Sequence, residues 1–319
     1  MIQHGDALTG EVLTETTPSE DQLAGMCKFN VVKGWLLPYI IEGCRRYTNG
    51  RWLWWLHCLS RGKVEGDIPQ IHFGSCGSEQ GKKARKHLED IVAKLAYRLG
   101  GWTAMNMFLQ WLLFGFGKGE FPRDMDDEDH LWLYKEFKAG LLQVEPYDYL
   151  GEIIGESKGS NNPHAFFPTP HTVVEMMVQI NMSDAATTEK GIFSTVCDPC
   201  IGSGRMVLHA SNQSIFLYGM DIDKTMCMVS EINGFLYAPW MVWPIAQLDE
   251  APYHEVSVKT QMRASLMLEY YDLFIAQLTA CVNPASGPLD AEVVEIEKED
   301  RDRMLVAAAV TEATQSRLW

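Results

Sequence analysis

Four helical periods fill the first half of the chain. Apolar residues recur at three- and four-residue spacing through "VVKGWLLPYIIEGCRRY", "EQGKKARKHLEDIVAKLAYRL", "WTAMNMFLQWLLFGFG" and "DEDHLWLYKEFKAGLLQ", which predicts an all-α domain over 26–155. The run at 102–117 is the most apolar. It is shorter than the ~20 residues of a membrane span and carries Asn106 and Gln110, so it predicts a buried helix. Between the first two periods, "GKVEGDIPQIHFGSCGSEQG" holds five glycines and a proline and predicts a loop, with a short strand at Ile71 to Phe73.

The pattern changes at the turn-rich "ESKGSNNP" of 156–163. After it, "HAFFPTPHTVVEMMVQI" predicts a helix with Pro170 in its first turn and Thr169 as its cap. Then come β-like "FSTVCDP", a glycine turn, helix-like "RMVLHASN", β-like "SIFLYGMDID" and helix-like "KTMCMVSEINGFLY". This βαβα order predicts an α/β unit with a mostly parallel sheet. A further strand is expected at "YDLFIAQL", and a charged helix over about 290–309. The expected organisation is a flexible arm at 1–25, a helical domain at 26–155, and an α/β domain at 156–319 ending in the charged helix.

Composition bounds the function. At 319 residues and 46% hydrophobic, the chain can bury a large core divided into two units. A formal charge of -15 gives no general attraction to a phosphate backbone, so any DNA contact must be local or come through a partner subunit. A protein partner or a homo-oligomer is therefore expected, and no membrane association. The eight cysteines are too sparse for a disulfide framework. The start, "MIQHGDALTGEVLTETTPSEDQLAG", lacks the basic and apolar regions of a leader, so reduced thiols and a cytoplasmic location are expected.

The richest chemistry lies in "TVCDPCIGSGR" at 195–205. As a metal site, Cys197 and Cys200 supply two ligands where structural zinc needs four, and the sequence holds no second Cys-x-x-Cys and no His-x-x-x-His. No metal is expected. As a binding loop, Asp198-Pro199 turns the chain at the end of a strand, and Gly202 and Gly204 let the backbone approach a ligand before a helix begins at Arg205. About 20 residues on, "YGMDID" ends the next strand with Asp221 or Asp223, either of which can accept from ribose hydroxyls. Together the two signals favour a nucleoside-containing cofactor.

At these residues the chain resembles a known family. "DPCIGSGRM" is similar to the S-adenosylmethionine loop of N6-adenine DNA methyltransferases, in particular the modification subunits of type I restriction systems and their phage relatives. "EPYDYLGEIIGESKGSNNPHAFFPTPHTVVEMMV" resembles the block that precedes that loop, and "YGMDIDKTMCMVSEINGFLY" the strand and helix that follow it. The three blocks keep the family's order over about 144–237. The resemblance implies a Rossmann-like S-adenosylmethionine-dependent methyltransferase fold with an all-α N-terminal domain. It implies that Phe166, Phe167, Thr169 and Pro170 lie against the methionine end of the cofactor. Asp198, Pro199, Gly202 and Gly204 would cradle it, and Asp221 would hold the ribose, leaving Asp223 to open the next helix. Arg205 stands where the family carries a small residue and is expected as the first exposed residue of its helix.

The family's catalytic tetrad, Asn or Asp, Pro-Pro and an aromatic residue, is absent. In its place "YYDLFIAQLTA" offers Gln277, and "VNPAS" offers Asn283. On the adenine side, "IAQLDE" offers Gln247 and Asp249. Three functions remain open: methyl transfer to adenine in DNA with Gln277 or Asn283 as amine acceptor; a pseudo-methyltransferase acting as subunit, sensor or decoy; and methyl transfer to another acceptor.

Overall fold

A computed structural model describes residues 33–156, 166–182, 191–245 and 256–281, with backbone alone for 277–281. The expected arm at 1–25, the charged helix near 290–309, Gln247, Asp249 and Asn283 lie outside the described residues.

Helices α1 (Leu37–Tyr47) and α2 (Arg51–Arg61) are joined by a tight turn in which Asn49 and Gly50 take φ of 53° and 70°. Next come α3 (Glu79–Leu99) and α4 (Gly101–Gly115), which pack together around a break at Gly100. Ser78 caps α3 by accepting from the Gly81 N–H. Helices α5 (Asp127–Glu136), α6 (Gly140–Val144) and α7 (Tyr149–Glu156) complete the first half, with Asp126 capping α5. The apolar run at 102–117 is a core helix, its Phe108, Leu109 and Trp111 at 0% exposure. Among the described residues no helix is long and apolar enough to cross a membrane.

After α8 (His171–Met182) and a short 3₁₀ turn, strand β1 (Thr195–Asp198) leads through the glycine loop into α9 (Arg205–Ala210) and back to strand β2 (Phe216–Gly219). The strands pair in parallel, Thr195 opposite Phe216 and Asp198 opposite Gly219, so both carboxyl ends emerge side by side. Then follow α10 (Lys224–Tyr237), α11 (Pro239–Val242) and α12 (Val258–Cys281). The described residues are mostly helical, with this one small sheet.

Two expected strands do not form. Ile71 to Phe73 has no strand partner; instead the Asn212 side chain bonds both backbone groups of Ile71, accepting its N–H and donating to its carbonyl. "YDLFIAQL" lies within α12. Its eight residues suit either element, but over a longer window Ala264, Met267, Tyr271 and Phe274 are buried at three- and four-residue steps, a helical face.

One apolar core runs through both halves of the chain, from Trp35 to Phe274, without a break at 156. Tryptophans of α2 make the join: Trp52 Nε1 donates to the Phe235 carbonyl at 2.7 Å and Trp55 Nε1 to the Trp243 carbonyl at 2.8 Å. Helix α12 packs against α2 on the same side. Glu42 of α1 accepts from Tyr271 Oη at 2.6 Å.

Candidate functional site

The carboxyl ends of β1 and β2 are tied into one platform. The Met220 N–H donates to the Asp198 carbonyl at 3.1 Å, and the Ile201 N–H returns to the Met220 carbonyl at 2.9 Å. Asp198 Oδ1 accepts from the Cys200 N–H, closing the turn around Pro199. Gly202 then takes φ +52°, and its N–H donates to Asp221 Oδ2 at 2.9 Å. The other Asp221 oxygen accepts from the Asp223 N–H, and Asp223 caps α10 by accepting from Thr225 N–H. Spacing alone left Asp221 and Asp223 open, and the resemblance assigned Asp223 to the helix start; the structure gives Asp223 a buried capping place and turns Asp221 to the loop.

Above this platform lies an open cleft of about 370 Å³, lined among others by Phe166, Phe167, Thr169, Asp198, Gly202 and Asp221. Three other expected residues, Pro170, Pro199 and Gly204, are not among those lining it. The Pro170 carbonyl starts α8 by accepting from Val173 and Val174 N–H groups, so the helix begins one residue later than expected. Pro199 is exposed in the turn. Gly204, at φ +92°, packs against Ser230, where an added Cβ would come 2.8 Å from Oγ. Gln277 sits on the backbone of α12, its side chain outside the described residues.

Arg205 departs from expectation. It is 5% exposed, because the first turn of α9 faces a buried acid rather than solvent. Its Nε donates to Asp148 Oδ2 at 2.7 Å, Nη1 to the Thr169 carbonyl at 2.9 Å and Nη2 to Glu152 Oε2 at 2.6 Å. One guanidinium thus fastens α7, the Phe166–Pro170 segment and the glycine loop. Asp148, at 0% exposure, also accepts from Ser203 Oγ, the Gly151 N–H and Asn233 Nδ2. Burial pushes the Asp148 carboxyl above its ordinary range against the pull of Arg205, Ser203 and Asn233. Burial pulls the guanidinium down, but Asp148 and Glu152 outweigh it and hold it above its ordinary value. Four donors, one of them cationic, converge on Asp148, which favours an ionised pair.

Beside this network His171 Nδ1 and His209 Nε2 share a 2.9 Å hydrogen bond between α8 and α9, against the ring of Phe73. Burial, helped by the Arg205 charge, pushes the two imidazoles down to about 3 and about 4. Asp148, Asn233 and the histidine pair carried no functional signal in the sequence. Asp148 is readable there only as the residue before a helix, since its partners lie 55 and 85 positions away.

Cys197 and Cys200 are exposed free thiols. Among the described residues no group of three or more His, Cys, Asp or Glu side chains is placed to hold a metal ion. Comparison with known protein families, with curated proteins and with solved structures gives no match for this chain.

Proposed function

We propose that the chain binds S-adenosylmethionine in the cleft above β1 and β2, as a non-catalytic relative of N6-adenine DNA methyltransferases, working as a subunit or sensor. One observation carries the reading: a glycine loop and an acidic strand end, 19 positions apart, meet through the Gly202–Asp221 hydrogen bond under a wall of Phe166 and Phe167. The cleft volume falls within the roughly 300–1,000 Å³ of small-ligand pockets. A Cβ at Gly202 would come 2.7 Å from the Phe166 ring, so the loop is closed to any larger residue. These features suit a nucleoside cofactor whose chemistry, when bound, is an electrophilic methyl group. Each Asp221 oxygen keeps a lone pair for a ribose hydroxyl beyond its backbone donor. The parallel β1–α9–β2 unit is read as one crossover of a Rossmann-like sheet.

Two observations favour binding over turnover. The tetrad that would orient a target amine is missing from the sequence, and the segment nearest to it in context is helical rather than a strand reaching the cleft. The charge of -15 supports a protein partner, with DNA contacted through it, over solitary DNA binding. Calorimetric titration with S-adenosylmethionine, beside an Asp221→Ala variant, tests the binding; no heat from folded protein refutes it. Tritiated methyl incorporation into unmethylated DNA tests the rest, and incorporation lost in Gln277→Ala would restore an enzyme.

A further inference from the structure

Arg205 is the one cation among the described residues lining the cleft, and its place is unusual. The cleft's acids, Asp198 and Asp221, stand at the strand ends, while Arg205 stands with Thr169 and the Phe166 segment. Of its five N–H groups, three are committed: one to Asp148, one to the Thr169 carbonyl and one to Glu152. Among the described residues, one N–H on each terminal nitrogen has no partner. The guanidinium is held by two carboxylates and one carbonyl, so its rotamer is fixed before any ligand arrives and little ordering entropy is lost on binding.

From this we infer that Arg205 is the carboxylate-recognising group of the cleft, so that the site selects a nucleoside ligand bearing an α-amino acid over one lacking the carboxylate. Asp148 and Glu152 act as positioning residues behind it. Arginine in place of the small residue of the resembling motif has a consequence here: a small residue at 205 offers no side-chain donor.

The inference rests on the cleft being an S-adenosylmethionine site, and one ligand series separates the two. Wild-type protein is titrated with S-adenosylmethionine and with its decarboxylated analogue, which differs only in the carboxylate. The expected result is binding of both, with the carboxylate-bearing ligand at least about tenfold tighter, as a charge-assisted hydrogen bond allows. Binding of neither overturns the site itself. Equal binding of both overturns the inference and leaves the site. In folded Arg205→Lys, which keeps a cation beside Asp148 but loses the fork, the ratio should collapse towards one; an unchanged ratio removes Arg205 from the role. Should that variant not fold, a crystal structure of wild type with S-adenosylhomocysteine decides. The ligand carboxylate belongs within about 3 Å of the Arg205 terminal nitrogens, and a carboxylate bound elsewhere overturns the assignment.

Discussion

The guanidinium of Arg51 donates to the backbone carbonyl of Tyr237 at 2.6 Å across 186 positions of sequence, with both residues at 0% exposure. The same side chain donates to the Pro69 carbonyl, to Ser211 and to Asn212. Arg51→Met fills the volume but strands those neutral acceptors, so it should cost about 1–3 kcal/mol. Because one core crosses 156, wild type and variant should each unfold in a single denaturant transition by fluorescence and circular dichroism alike. Two separated transitions would mean independent halves.

Asp221 has two jobs that one substitution separates. Asp221→Ala strands the N–H groups of Gly202 and Asp223, which should cost about 1–2 kcal/mol of stability. The loss of a charged acceptor for the ligand should weaken S-adenosylmethionine binding by roughly 10- to 100-fold. Calorimetry beside denaturant unfolding reads both. Unchanged affinity would remove Asp221 from the site.

Gly204→Ala should lower stability by about 2–3 kcal/mol, from a φ of +92° that side chains avoid and from the clash with Ser230 Oγ. The two causes are separable. Adding Ser230→Ala should recover the steric part and leave the backbone part, a coupling visible in a double-mutant cycle of denaturant midpoints. Strict additivity would show that the contact does not govern the cost.

Acid should destabilise the fold in two steps. His87, His130 and His209 are pushed by burial to about 4 and His171 to about 3, below the ordinary 6.5. The unfolded chain therefore takes up protons that the folded chain refuses, so stability is full above about pH 6.5 and falls as the pH drops towards about 4. Burial pushes Glu42 up, but hydrogen bonds from Arg45, Tyr271 and Arg46 prevail and hold it at about 2. Its contribution is lost only between about pH 4.5 and 2. His209→Gln keeps an amide near the Nε2 position without titrating, and should flatten the first step by about 1.4 kcal/mol per pH unit. Thermal melts from pH 4 to 7.5 check this, and an unaltered slope excludes the pair.

The local sequence fixed what depends on neighbours. The glycine loop, the end of β1 at Asp198, the helix start at Arg205 and the Asp223 cap are set within a few residues, by φ preferences and by side chains bonding the backbone two positions on, whereas β2 stops at Gly219, short of the Asp221 or Asp223 where the sequence ended it. The buried helix at 102–117 was legible for the same reason: its apolar period is long enough to exclude alternatives. "YDLFIAQL" was misread because eight residues do not separate a period of 2 from one of 3.6 when most positions are apolar.

What tertiary structure alone decided is pairing at a distance. Nothing near Arg205 in the sequence announces Asp148, Glu152 or the Thr169 carbonyl, and a charged residue at a helix start ordinarily faces water. Burying it is tolerable only because the fold delivers an acid 57 positions earlier to the same point. Arg51 is likewise satisfied only where Pro69, Ser211, Asn212 and Tyr237 converge on it. The sequence by itself determined the loop and the end of the strand that enters it, through local backbone preference. The fold decided which charges are buried around that loop, because the partners that satisfy a buried charge come from segments only the packed core brings together.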